Sequence, residues 1–196
     1  MLFRSFASTK SRSTPKRYSD YRKLLEDKDV EAVAIASPDH WHALMFVDAC
    51  RAGKDVYVEK PVSHNIYEGQ KLVETARKYN RIAAGGTQRR WWGRWRKAVE
   101  LMHAGVIGDI YQGNFVFPGG RDSIGFKPVK QPPANLNWDK WVGPAPMQPY
   151  HENLVHYNWH WFWDFGNGEL GNNGIHMIDI SRWAIDRKST RLNSSH

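Results

Sequence analysis

Apolar positions in the first half of the chain switch repeatedly between helical spacing and short continuous runs. Tyr21 to Glu26, with Leu24 and Leu25, has the spacing of a short amphipathic helix. Residues 31–36, Glu-Ala-Val-Ala-Ile-Ala, form an apolar run that stops at Ser37-Pro38-Asp39, as a buried strand does. The proline ends the strand, and Ser or Asp can cap the next helix. That helix is expected over about 42–52, closed by Gly53. Val56-Tyr57-Val58 is a second strand. Asn65 can cap a helix over about 66–79, with Val73 and Ala76 on its apolar face. Arg81-Ile-Ala-Ala84 is a third strand, ending at Gly85-Gly86. The order βαβαβ, with helices long enough to cross over, predicts half of a doubly wound parallel sheet.

The texture then changes. A helix over about 95–104 leads to Gly105 and Gly108, and Ile110 to Phe117 alternates as a half-exposed strand does. Residues 118–150 are loop-like, rich in proline, with Gly119-Gly120. Five of the ten tryptophans fall between Trp138 and Trp163, and a last helix is expected over about 175–185. The fold class is α/β: the second half of a Rossmann-type doubly wound parallel sheet over 20–104. The start of an α/β domain with an open antiparallel sheet follows over 105–185. No internal repeat is visible.

Composition adds that this is a globular chain, at 41% hydrophobic and 24% charged residues. The net charge of +8 suggests nucleic acid, but its distribution argues otherwise. Residues 1–19 carry five basic residues and no acid, and 187–196 carry three and no acid. Without those eight, 20 basic residues face 20 acidic ones, so the body is neutral and no nucleic-acid footprint is expected. Residues 1–19 read as a disordered or artefactual leader; alternatively, Met1 to Lys16 resembles an organellar transit peptide, which is Arg- and Ser-rich and acid-poor. Residues 186–196 read as a non-native tail, the translation of a short-read sequencing adapter. No apolar run approaches the roughly 20 residues of a membrane span. The single cysteine, Cys50, lies on a helical pattern and reads as a buried apolar group.

Candidate chemistry centres on residues 55–61, Asp-Val-Tyr-Val-Glu-Lys-Pro. In an open α/β sheet, ligands bind at the carboxyl ends of the strands. There Lys60 stands beside Glu59, with Pro61 stiffening the exit; the plainer reading is a surface ion pair. A dinucleotide-binding sheet normally opens on a strand, a G-x-G-x-x-G turn and a helix, and nothing before Glu31 fits that pattern. His40-x-His42 and His156-x-x-x-His160 have metal-pair spacings, but no carboxylate partner is evident and no metal is expected. Trp159, Trp161 and Trp163 with Tyr157 alternate as on a strand, either as a platform for a sugar ring or as core. Trp91-Trp92 after Arg89-Arg90 would suit base stacking, which the neutral body disfavours.

Several segments in order resemble the Gfo/Idh/MocA family of nicotinamide-dependent oxidoreductases. They are Ala36-Ser-Pro-Asp-His-Trp-His42, Val58-Glu-Lys-Pro61, Gly86-Thr-Gln-Arg-Arg90, Gly171-Asn-Asn-Gly-Ile-His-Met-Ile-Asp179 and Arg182-Trp183. The resemblance covers about 20–185. It implies an N-terminal Rossmann domain, a C-terminal α/β domain on an open antiparallel sheet, and NAD or NADP between them. It assigns Lys60 as catalytic and in contact with cofactor, often before a cis proline bond. Ser37, Pro38, His42, Glu59 and Lys60 would line the nicotinamide ribose, with Gln88 beside the nicotinamide and Arg89 near the substrate. His176 would be the general acid/base, a task a histidine pKa near 7 suits.

One position departs from the pattern: Asn172 stands where an aspartate is common in the family's dehydrogenases. Asparagine can orient a hydroxyl but takes no proton; Glu169 or Asp179 could substitute, Asp179 more as a brace. The resemblance implies hydride transfer between a sugar, cyclitol or polyol hydroxyl and NAD(P). The alternatives are a glycosidase that oxidises a sugar transiently with bound NAD, and a non-catalytic cofactor-binding module. A homo-oligomeric parent is expected, cytoplasmic or exported, and this chain alone is expected to be inactive.

Overall fold

The computed structural model describes residues 3–4, 15–116 and 119–186. Phe117, Pro118 and the tail over 187–196 lie outside the described residues, as does most of the leader. The chain divides into two compact units, Met1–Gly86 with Ile124–Gly168, and Thr87–Ser123 with Glu169–His196.

In the first unit, β1 (Phe3–Arg4) pairs antiparallel with β2 (Arg17–Tyr18), ahead of α1 (Tyr21–Leu25). Lys16 and Tyr18 both reach the Asp27 carboxylate, at 2.8 and 2.5 Å. Three parallel strands follow in sequence order: β3 (Ala32–Ile35), β4 (Asp55–Glu59) and β5 (Ala83–Gly86). Val33 faces Val56, and Val58 faces both Ile35 and Gly85, so the strand ends are flush. The crossovers are α2 (Asp39–Arg51) and α3 (Ile66–Lys78).

The core is the face these helices cover. Ile35, Val56 and Val58 meet Trp41, Met45, Phe46, Ala49 and Cys50 of α2. Cys50 is buried, as the helical pattern implies. Along β4, Val56 and Val58 are buried while Asp55, Tyr57 and Glu59 are half-buried. The sheet is not closed. Gly53, at φ 76, ends α2 in the left-handed conformation glycine permits. Asn65 caps α3 by accepting from the Glu68 N–H at 2.9 Å.

Two local expectations fail here. Helix α2 starts three residues early, on Pro38, with no side-chain cap. Ser37 and Asp39 are instead buried. On α3 the inward stripe is Leu72, Ala76 and Tyr79, while Val73 is 51% exposed. A straight helix carries one such stripe, and Val73 lies about 100° round from Leu72.

Residues 124–168 fold back onto α2 within the same unit. Their centre is Val142, Leu154 and Phe165, all fully buried, with Trp138, Trp141 and Trp159 packed around them. The short α5 (Trp138–Val142) is capped by Asn137 and ends at Gly143, φ 53. A Cβ at Gly143 would sit 2.0 Å from the Trp41 ring, so only glycine fits. Residues 158–161 form a 3₁₀ turn, not a strand. Trp159 stacks on His160 there, at 3.7 Å between ring centres. Local i, i+3 bonding has won over the alternation in this segment.

The second unit holds a 3₁₀ turn (Gln88–Trp91), α4 (Gly93–His103), a π-helical turn (Leu170–Gly174) and α6 (Ile175–Ile185). The expected strand from Ile110 is not formed: residues 110–116 join no ladder, and Tyr111 is 92% exposed. An alternating pattern makes a strand only when a neighbour supplies the hydrogen bonds, and no described strand of this unit does so.

Candidate functional site

The parallel register brings five of the expected site residues to one edge of the sheet. β3 ends at Ile35 and β4 at Glu59, so Ser37 and Pro38 leave one strand beside the Glu59–Lys60–Pro61 exit of its neighbour. The Lys60–Pro61 peptide is cis. The Glu59 carboxylate accepts from the Lys60 N–H at 3.3 Å and from the Tyr57 hydroxyl at 3.4 Å. Gly86 makes room for it, since a Cβ there would come within 2.7 Å of Glu59 Oε2. The glycine pair that read as a strand terminator is thus strand backbone shaped around a carboxylate.

His42 is 1% exposed. Its Nδ1 lies 2.7 Å from the Pro61 carbonyl and its Nε2 2.8 Å from the Ser37 carbonyl. Burial pulls the ring's pKa below the ordinary histidine value, opposed by both carbonyls and by Glu59 and Glu68. His40, two residues earlier, contacts Trp141 O at 3.1 Å and Phe165 O at 3.4 Å. Burial takes its pKa to about 4, so His40 is neutral. The His40-x-His42 pair therefore spends its nitrogens on carbonyls. Among the described residues no cluster of three or more metal-ligating side chains occurs.

Two residues join this edge without having stood out in the sequence. Asp39 is 3% exposed, and burial raises its carboxyl to about 7, against the pull of the Asn167 N–H and of Lys60. Asn167 donates from Nδ2 to the His64 carbonyl at 2.7 Å, while its Oδ1 is buried with no partner. A buried carboxylate has no local signature, and Gly166-Asn167-Gly168 reads as a turn. The Ser37 hydroxyl is likewise buried with no partner. An orphaned hydroxyl at the C-terminal edge of a parallel sheet is the donor a ribose would engage. These residues fit the nicotinamide end of a dinucleotide.

The remaining expected residues lie in the second unit. Gln88 and Arg89 sit on the 3₁₀ turn, half-buried. The Arg89 guanidinium contacts the Met177 sulfur, next in sequence to His176. Asn172 is 8% exposed in the π-helical turn, and His176 is half-buried in the first turn of α6. A wide turn ahead of a functional side chain is a recurrent use of π geometry. Asp179, one turn beyond His176, forms a two-pronged pair with Arg90 at 2.6 and 2.7 Å. The Arg90 guanidinium also lies 5.1 Å over the Trp183 ring. Asp179 is thus a brace.

Comparison with known families completes the picture. Residues 4–87 match a model described as "Oxidoreductase family, NAD-binding Rossmann fold". Residues 108–193 match its companion, "Oxidoreductase family, C-terminal alpha/beta domain". The chain belongs to the Gfo/Idh/MocA family of oxidoreductases. A myo-inositol 2-dehydrogenase of Thermotoga maritima is 32% identical over 93 residues, covering 47% of this chain and 28% of that protein. A levoglucosan dehydrogenase of Pseudarthrobacter phenanthrenivorans is 24% identical over 169 residues, covering 85% of this chain and 36% of that protein. The crystal structure of an NAD binding oxidoreductase from Klebsiella pneumoniae aligns with TM-score 0.56 at 21% identity. It covers 86% of this chain and 37% of that one, and shows that the two share a fold. The chain thus spans about a quarter to a third of the length of these relatives. No described helix is long and apolar enough to cross a membrane.

Proposed function

We propose that these residues serve an NAD(P)-dependent oxidoreductase that transfers hydride between the nicotinamide and a hydroxyl of a sugar, cyclitol or polyol. On this reading residues 20–104 form the nucleotide side and 105–185 the substrate side. The observation that carries the reading is the Glu59–Lys60–Pro61 strand exit beside the unpartnered Ser37 hydroxyl, in a chain of this family. Relatives named for inositol and levoglucosan dehydrogenation support the substrate class.

The nicotinamide, when bound, supplies the hydride acceptor. The chain does the rest. Ser37 Oγ and the loop at Pro38 hold the ribose, and Glu59 fixes the strand exit. Gln88 is assigned to the nicotinamide and Arg89 to the substrate. The Lys60 ammonium donates to the reacting oxygen and steadies charge as it develops. An imidazole nitrogen of His176 takes the hydroxyl proton, while the Asn172 amide orients that hydroxyl without exchanging a proton.

The test is NADH or NADPH formation over a panel of cyclitols and hexoses. It is run on this chain and on the chain joined to a strand–turn–helix bearing G-x-G-x-x-G. Turnover by the extended protein, reduced about 10²-fold or more by Lys60→Ala and similarly by His176→Ala, is the expected result. Turnover untouched by Lys60→Ala would sink the assignment. Sugar cleavage without net cofactor turnover would point to the glycosidase alternative, which the same fold supports.

A further inference from the structure

His40 and His42 share helix α2, differ by two positions and are both buried, yet their surroundings ask for different protonation. His40 has one good contact, at 3.1 Å to Trp141 O; the other is 3.4 Å, to a Phe165 carbonyl that also accepts the His40 backbone N–H. One ring N–H satisfies it. His42 has two short contacts, at 2.7 and 2.8 Å, and both partners are main-chain carbonyls, which can only accept. A neutral imidazole carries a single N–H. The second contact would then press a ring lone pair against a carbonyl lone pair. Flipping the ring replaces both nitrogens by carbons and leaves both carbonyls without their donor.

We propose that His42 is held as a doubly protonated imidazolium, a charged pin between the carbonyl of Ser37 at the end of β3 and that of Pro61 just past Lys60. Burial is the largest influence on the ring and disfavours this charge; both carbonyls, Glu59 at the end of β4 and Glu68 in the first turn of α3 favour it. Against burial stand two acceptor-only partners within 2.8 Å that a neutral ring cannot both satisfy. The pin fixes the chain on the far side of Lys60 to the loop that carries the Ser37 hydroxyl. His42 is therefore a positioning residue, with both nitrogens committed to the protein. Its meaning for catalysis rests on the hydride-transfer reading; its protonation state does not.

The experiment is ¹⁵N–¹H correlation spectroscopy of the imidazole rings in the full chain, labelled at histidine. It is recorded at about pH 8, above the ordinary histidine pKa of about 6.5. Proximity of ring protons to Pro61 and Ser37 assigns His42 without a variant, and loss of the same signals in His42→Gln is the cross-check. The expected result is two proton-bearing nitrogens on His42 while His40 keeps one bare nitrogen. A bare ring nitrogen on His42 at that pH overturns the proposal. Absence of dehydrogenase turnover would retire the functional reading and leave the nitrogen pattern unchanged, so the two failures are distinguishable.

Discussion

The two units of this chain hold themselves together by different means. In the first, two strands and three helices, β3 and β4 with α1, α2 and α3, enclose a continuous apolar cluster, with Ala49 and Cys50 fully buried and Phe46 and Val58 nearly so. In the second, Val99 and Ile180 are the buried large aliphatics among the described residues. Leu101, Val106, Ile107 and Ile178 there are exposed. Polar clamps take over: the Arg90–Asp179 pair, and His103 Nε2 at 3.0 and 3.1 Å from the Trp183 and Ala184 carbonyls at the end of α6. The expected site residues of the first unit thus stand on hydrophobic packing, and those of the second on directional bonds between an arginine turn and a helix. The first mode tolerates polar change at its rim and the second does not, which makes the comparison open to test by substitution.

The largest effect is expected in the packed unit. Phe46 is 3% exposed, and truncation to alanine leaves a cavity that the β-sheet floor cannot close. Phe46→Ala is expected to cost about 3–5 kcal/mol, read as a lower urea midpoint and faster amide exchange in α2. Leu101→Ala on α4, at 42% exposure, is expected to cost less than about 1 kcal/mol. Comparable losses at the two positions would abolish the distinction between the units.

A second effect sharpens the comparison from inside the packed unit, through its buried acid. The Asp39 carboxyl is raised from 3.8 to about 7. Between those values the folded chain keeps a proton that the unfolded chain has released. Stability therefore falls as pH rises through that window, by up to about 1.4 kcal/mol per pH unit. Below the window both states are protonated and the dependence vanishes. Asp39→Asn keeps an acceptor for the Asn167 N–H and removes the ionisation. The variant is expected to lose this slope and to be the more stable protein above about pH 7. Urea midpoints at mildly acidic and mildly alkaline pH decide it; parallel slopes in the two proteins would rule out Asp39 as the source.

Much of the first unit was legible in the sequence, for a physical reason. Its strands are short apolar runs, its helices carry one stripe each, and Gly53 and Asn65 mark ends through local stereochemistry. The Glu59–Lys60–Pro61 exit stood out because a buried strand ended in charges. What stayed hidden depends on residues distant in sequence. The early start of α2 is set where Trp141 and Phe165 seal His40 and Trp41. Asp39 and Asn167 became part of the site edge through that same packing. The alternation from Ile110 and the aromatic alternation from Tyr157 misled because period alone does not supply a ladder partner. Gly86 read as a terminator, and its need for close approach to Glu59 is visible only across the β4–β5 pair.

A third effect, smaller than that of Phe46→Ala, tests the directional bonds of the second unit. Arg90 offers Nε and Nη2 to the two oxygens of Asp179, and both side chains are mostly buried, at 25% and 17% exposure. Planar, two-pronged geometry is what lysine lacks. Arg90→Lys keeps the charge and surrenders the fork and the stacking over Trp183. Asp179→Asn keeps the shape and surrenders the charge. Each is expected to cost about 1–3 kcal/mol, read as faster amide exchange across α6, whose first turn holds His176. Because Asp179 sits three residues beyond His176, loosening this pair should disturb the turn that holds His176 while exchange in β3 and β4 stays unchanged. Unaltered protection of α6 in both variants would show that its few apolar contacts suffice, and that the two units are built on one principle after all.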